Sequence, residues 1–233
     1  VFMGKKRSKT DDVTLIDTLV GGIAHEKNIS KKYLNYKINL KCKNQKQKEL
    51  VKTIENNQIT FVKGIFGVGK TFVINSVALN MLKDTENNIE KIILIVPTLE
   101  NGGRELSIGL LPGSKMEKIE SYHEATLDTM KKILTQSNNI KPKEIINNLI
   151  QEGLIEMECA NFVLGKTWDN SFIIIDECEN FNKQEMLLLC SRLGENSKMV
   201  FSGDMRQVTR QSIINKKASP VKKEMLYFFT ELH

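Results

Sequence analysis

Gly64-Ile65-Phe66-Gly67-Val68-Gly69-Lys70-Thr71 decides how this chain is read. The octapeptide satisfies G-x-x-x-x-G-K-[ST] at every position. It lies between an apolar run, Ile59-Thr60-Phe61-Val62, and a stretch whose apolar residues Val73, Ile74, Val77, Ala78, Met81 and Leu82 recur at helical spacing. Strand, glycine loop and helix in that order form a cradle for phosphate. The glycines let backbone N–H groups close round phosphate oxygens, and the helix that follows turns its positive end towards them. Lys70 is then placed to meet β- and γ-phosphates as a point charge, and the Thr71 hydroxyl to hold Mg²⁺. The expected nucleotide-contacting set is Gly64, Ile65, Phe66, Gly67, Val68, Gly69, Lys70 and Thr71, with Phe72 in the first turn of the helix.

Outward from the loop, short apolar runs alternate with helical patterns, as βαβ architecture requires. Ile92 to Val96 reads as a strand buried on both faces and ended by Pro97. Residues 98 to 114 read as a loop, followed by a helical stretch containing Ile119, Tyr122, His123, Met130 and Ile133. A second helix is expected from Pro142 to Gln151, with Gly153 beyond its end. Phe172-Ile173-Ile174-Ile175 is another apolar strand, and it runs directly into Asp176-Glu177. A carboxylate in that place completes a metal site with Thr71, and the next one is the candidate general base for water. Asn182 is expected to cap a helix with apolar face Met186, Leu189, Cys190 and Leu193, stopped by Gly194, before a strand from Lys198 to Ser202. A guanine-reading Asn-Lys-x-Asp is missing, since Asn182-Lys183-Gln184-Glu185 carries Glu at the critical place, so adenine is the expected base.

The 233 residues suit one α/β domain with a full core. Apolar content of 40% and charged content of 27% are those of a soluble protein, and no apolar run approaches the roughly 20 residues that span a bilayer, so a cytoplasmic protein without a membrane partner is expected. Cys42, Cys159, Cys178 and Cys190 show no C-x-x-C spacing, and His25, His123 and His233 are scattered, which argues against a zinc site or a disulfide framework. The net charge of +6 is uneven: residues 1 to 48 carry 12 Lys/Arg against 4 Asp/Glu. The expected organisation is a basic segment over residues 1–40, a nucleotide-binding core over 41–215 and an amphipathic helix over 216–233, the last built on Met225, Leu226, Phe228, Phe229 and Leu232.

With these motifs in order, the sequence resembles the PhoH-like family of P-loop ATPases, whose core is similar to the first motor domain of superfamily-one helicases. The resemblance runs from about Gln47 to Gln207 and rests on Gln47, Gly64 to Thr71, Gly109-Leu110-Leu111-Pro112-Gly113, Asp176-Glu177, Arg192-Leu193-Gly194, Lys198-Met199-Val200 and Gly203-Asp204 with Gln207. It implies a three-layer, RecA-like P-loop NTPase core of α/β class, with a mostly parallel sheet flanked by helices. It further implies that Gln47 reads the adenine edge, that Gln207 senses the γ-phosphate and that Arg192 acts across a subunit boundary. The chain departs from the family pattern at Val96, where Arg is usual before Pro97, and at Leu164 and Lys166, which flank Gly165 in place of two Arg. Cys178 and Glu179 stand where Ala and Gln are usual, and Thr209-Arg210-Gln211 replaces an acidic-Leu-Pro turn.

The implied activity is Mg²⁺-dependent ATP hydrolysis, with Lys70, Glu177, Gln207 and Arg192 as catalytic residues, coupled to binding or remodelling RNA or single-stranded nucleic acid as a helicase would. The alternative is an ATP-driven assembly switch that binds protein partners without unwinding. Only 26 residues follow Gln207, too few for a second motor domain. A homo-oligomeric ring such as a hexamer is therefore expected, with Arg192, or else Arg210, supplied by a neighbouring subunit. Abundant Lys, Asn and Ile beside little Gly, Pro and Arg point to an AT-rich bacterial genome or its phage.

Overall fold

The computed structural model describes residues 34–38, 40–97, 115–135, 141–181 and 183–204. The chain divides into two compact units, Val1–Asn35 and Tyr36–His233, and the described strands and helices belong to the second. Its described strands are β1 (Ile59–Lys63), β2 (Lys91–Val96), β3 (Ile155–Cys159), β4 (Ser171–Ile175) and β5 (Lys198–Gly203). They form one sheet in the order β1-β5-β4-β2-β3, and every pairing is parallel. The expected mostly parallel sheet is thus wholly parallel among the described residues. Parallel neighbours need crossovers, and these are supplied by α2 (Lys70–Lys83), α3 (Lys115–Thr135), α4 (Pro142–Gln151) and α5 (Lys183–Cys190), with α1 (Gln45–Asn56) preceding the first strand.

Burial follows position in the sheet. The inner strands β2, β4 and β5 are buried almost throughout, whereas β1 and β3 alternate between buried and partly open residues. On one face Ile93, Ile95, Ile173, Ile175, Met199 and Phe201 share a core with Phe181, Met186 and Leu189. The pleat sends Ile92, Leu94, Phe172, Ile174 and Val200 to the opposite face, where α2 runs against β2, β4 and β5. Helices on both faces of a parallel sheet make the three layers of a P-loop NTPase core. Phe61 and Phe201, which are register partners on β1 and β5, stack with ring centroids 4.7 Å apart.

A local cap closes the start of α1, and one polar anchor fixes its end beside this sheet. Asn44 Oδ1 accepts from Gln47 N at 2.9 Å and caps the helix, while the Lys198 ammonium at the start of β5 donates to the carbonyls of Ile54, Glu55 and Asn57 at 2.8 to 3.1 Å. A cation on the last carbonyls of a helix satisfies acceptors that have no partner in the helix and sits at its negative end. Further upstream, the Tyr36 hydroxyl donates to Leu79 O at 3.0 Å from a buried position, tying the approach to α1 onto α2.

Pro142 opens α4 and Gly153 follows its end with φ of 70°, as the sequence reading expects. The expectation for Gly194 needs correction. Helix α5 ends at Cys190, and Leu193 lies past it in an isolated bridge with Trp168. Gly194 is demanded by space: a Cβ there would stand 2.7 Å from Trp168 O and closer still to Asp169 Oδ1, while its own N–H donates to Trp168 O at 2.9 Å. The cap at Asn182, the loop at 98–114, the helix at 216–233 and most of the basic segment at 1–40 lie outside the described residues.

His123 on α3 is 4% exposed, and its Nε2 has no hydrogen-bond partner. Burial pushes its pKa down from 6.5 to about 4, with the Glu158 backbone carbonyl opposing the shift. The unfolded chain therefore takes up a proton that the folded chain refuses. Stability is expected to be complete above pH 6.5 and to fall by about 3 kcal/mol as pH drops through that interval to 4. Urea unfolding of the parent and of His123→Leu across this range checks it; the acid-side slope is expected to flatten in the variant.

Candidate active site

The phosphate loop and the acidic pair singled out by the sequence converge at the carboxyl ends of β1 and β4, on either side of β5. Beyond Lys63 the chain turns through Gly67 and Gly69, with φ of 82° and 85°, and Gly69 is the N-cap of α2. Left-handed backbone at the N-cap puts Lys70 and Thr71 in the first helical turn, directly over the ends of the neighbouring strands. Lys70 Nζ lies along the inner rim of the loop, donating to Gly64 O at 2.7 Å and to Ile65 O at 3.2 Å. Thr71 Oγ1 donates to Asp176 Oδ2 at 2.9 Å, joining residues 105 positions apart in the chain. Phe72 is half-buried behind them, and Ile65, Phe66 and Val68 form the exposed crest of the loop.

Asp176 follows β4 directly, and its other oxygen, Oδ1, accepts from Glu177 N at 3.0 Å. Glu177 adopts φ of 50° and ψ of 43°, left-handed backbone that costs a non-glycine residue roughly 1–2 kcal/mol. That turn swings the exposed Glu177 side chain away from the strand, where Asn180 Nδ2 donates to Oε2 at 3.3 Å. Desolvation by the surrounding chain and the adjacent Asp176 charge both raise the pKa of Glu177. A carboxylate made more basic beside a hydroxyl–carboxylate pair has the chemistry of a proton acceptor.

Gln47 is brought to the loop as well, with both ends of its amide engaged. Nε2 donates to Val68 O at 3.0 Å and Oε1 accepts from Lys43 N at 2.7 Å. Arg192 is not brought to the site. Its carbonyl accepts from Trp168 N, three residues before β4, whereas Asp176 follows the opposite end of that strand. Gln207, Arg210 and Gly109 to Gly113 lie outside the described residues.

Two carboxylates at the site received no role from sequence reasoning. Asp204 follows β5, and its Oδ2 accepts from Phe66 N at 2.9 Å; Glu179 Oε2 accepts in turn from Asp204 N at 3.1 Å. Both are 8% exposed, and burial pushes Glu179 up to about 7, with its own amide and that of Asp204 opposing and the charges of Glu177 and Asp176 adding. Glycine as the last residue of a strand, here Gly203, is the signal that marks such a close approach. Of the positions that depart from the family pattern, Val96 is buried at the end of β2 and Lys166 pairs with Glu158 on β3.

The family model described as PhoH-like protein matches residues 39–227. The PhoH-like protein of Bacillus subtilis (strain 168) is 32% identical over 187 residues, which cover 80% of this chain and 54% of that protein. The PhoH-like protein of Mycobacterium leprae (strain TN) is 33% identical over 162 residues, 70% of this chain and 43% of the relative. Protein PhoH of Escherichia coli (strain K12) is 28% identical over 169 residues, 71% and 44% of the two chains. The chain thus spans about half the length of the curated relatives it matches.

The loop geometry makes Gly69→Ala informative. The substitution meets the left-handed φ of 85° and also places Cβ 3.1 Å from Gln47 Nε2. Stability is expected to fall by about 1–2 kcal/mol in urea titration, and Gln47→Ala, which removes the contact but leaves the backbone strain, is expected to restore less than half of it.

Proposed function

This chain belongs to the PhoH-like protein family, and from that premise we propose that it is a Mg²⁺-dependent ATPase whose turnover is coupled to RNA or single-stranded nucleic acid. The observation that carries the reading is the Thr71–Asp176 contact at 2.9 Å, with Glu177 next in sequence and Lys70 on the facing rim. A hydroxyl and a carboxylate held together are hard oxygen donors of the kind Mg²⁺ prefers, so the pair fits that ion. Bound there, the ion would neutralise charge on the β- and γ-phosphates.

In this reading the loop amides and the N-terminal end of α2 hold the phosphates, and Lys70 releases the Gly64 and Ile65 carbonyls to bind β- and γ-oxygens. Gln47 serves the adenine edge by giving up its tie to Val68 or to Lys43. A water oxygen then forms a bond to the γ-phosphorus while Glu177 takes the water proton. The bond from that phosphorus to the bridging oxygen breaks, and ADP and phosphate leave. Gln207 senses the γ-phosphate. Support for a nucleic-acid partner comes from the 12 Lys/Arg against 4 Asp/Glu over residues 1 to 48, since such an excess releases counterions from phosphate backbones. Support for a homo-oligomeric ring comes from Arg192: half-buried, with an unpartnered Nε, it stands at the end of β4 opposite its own acidic pair, so that an acidic pair it serves would belong to a neighbour.

Lys70→Ala and Glu177→Gln are expected to separate binding from chemistry. Both should lower turnover by at least about 10²-fold, while only Lys70→Ala should weaken ATP binding measured by calorimetry. Equal loss of ATP affinity in the two variants would contradict the assignments. Adding RNA or single-stranded DNA to the parent is expected to raise the steady-state rate.

Shared sites make a separate prediction. Arg192→Ala and Lys70→Ala subunits, each inactive alone, are expected to recover activity when mixed, because an intact loop then faces an intact arginine at some interfaces. An arginine supplied in trans contributes about 10³ to 10⁵ in rate, so recovery is readily seen above either parent variant. A monomer with full activity in light scattering would remove the basis for the ring.

A further inference from the structure

We propose that Glu179 and Asp204 form a carboxylate relay that fixes the shape of the phosphate loop from beneath, which makes them positioning residues for the reaction put forward above. The effect on nucleotide rests on that reading; the relay itself rests on geometry. Glu179 Oε2 accepts from Asp204 N at 3.1 Å, and Asp204 Oδ2 accepts from Phe66 N at 2.9 Å, both side chains being buried. A second tether runs alongside, since Gly64 N donates to Gly203 O at 3.2 Å. The end of β5 therefore holds the loop at its first and third residues, and Glu179 holds the end of β5.

Space at this junction is arranged for the relay. A Cβ on Gly203 would stand 2.6 Å from Glu179 Oε2 and 2.7 Å from Cys178 Sγ, so only glycine lets the Glu179 carboxylate reach past β5 to the Asp204 amide. A buried carboxylate among Asp176, Glu177 and Asp204 is costly to keep, and hydrogen bonds from two backbone amides, its own and that of Asp204, offset that cost. Phe66 lies one residue before Gly67, the first of the two left-handed glycines, so its peptide plane sets the course of the whole turn. While Asp204 holds the Phe66 N–H, that donor points away from phosphate, and the remaining loop amides are the ones left to cradle it. The turn carrying Glu177 and the loop carrying Lys70 are thereby joined twice, directly through Thr71 and Asp176 and indirectly through Glu179, Asp204 and Phe66.

The relay needs an acceptor oxygen at each carboxylate and no particular charge, which defines its test. Amide exchange at Phe66 is measured in the nucleotide-free chain, and ATP affinity by calorimetry, for Glu179→Gln, Glu179→Leu, Asp204→Asn, Asp204→Ala and the Leu/Ala double variant. Glu179→Gln and Asp204→Asn keep an acceptor and are expected to stay within about twofold of the parent in both readouts. Glu179→Leu and Asp204→Ala are expected to speed Phe66 exchange and weaken ATP binding by about tenfold each, with the double variant no worse than Asp204→Ala alone. Unchanged Phe66 exchange in Asp204→Ala with global unfolding unaltered, or losses that add in the double variant, overturns the relay. Should the parent fail to bind ATP, the proposed function falls, and Phe66 exchange still decides whether the relay exists.

Discussion

The site depends on β5 lying between β1 and β4. Neighbouring strands in a sheet are about 4.8 Å apart, so one interposed strand sets the phosphate loop and the acidic pair about 10 Å from each other at the level of the backbone. Thr71, in the first turn of α2, spans that gap over the end of β5 to meet Asp176 at 2.9 Å. The strand that creates the gap must also end in something small, and Gly203 meets that demand.

The same interposition explains why so much negative charge collects in one place. Asp176 and Glu177 leave β4, Asp204 leaves β5, and Glu179 reaches back between them, all at one end of the sheet. Parallel strands bring these residues to one end, because the carboxyl ends point the same way and the loops that carry the acidic residues begin there. Repulsion among these groups contributes to the raised pKa values of Glu177 and Glu179, though burial is the larger cause for both. It is countered by backbone N–H groups and by the positive end of α2. An anionic ligand enters such a site only where those donors outweigh the carboxylates, and that balance is set by which loop amides face it.

The elements legible in the sequence were those whose signal is local. The inner strands β2 and β4 announce themselves as unbroken apolar runs because both of their faces are covered, β5 carries the shorter run Met199-Val200-Phe201, and α4 is punctuated by Pro142 and Gly153. Strand β3 was not legible: Ile155-Glu156-Met157-Glu158-Cys159 alternates, as an edge strand with one open face does, and its glutamates hide it beside α4. Gly194 reads as a helix stop because glycine often is one, yet its cause is the close passage of Trp168 and Asp169 from 25 residues upstream. Gln47 and Asp204 likewise meet the loop, and Glu179 meets Asp204, through contacts that no spacing in the chain encodes.

From the order of its residues alone the chain determined its α/β class, the phosphate loop, the acidic pair and the chemistry open to them, because glycine conformation, helix polarity and side-chain functional groups act over a few residues. The Thr71–Asp176 pairing was expected from the two motifs, and the structure sets it at 2.9 Å; only the tertiary structure decided that Gln47 is tied to Val68, that Asp204 and Glu179 support Phe66, and that Arg192 stands at the far end of β4. The physical reason is that strand order is set by how apolar faces pack between layers of helices. That packing brings together residues as distant in the chain as Phe66 and Asp204 without leaving a mark of the contact at either one.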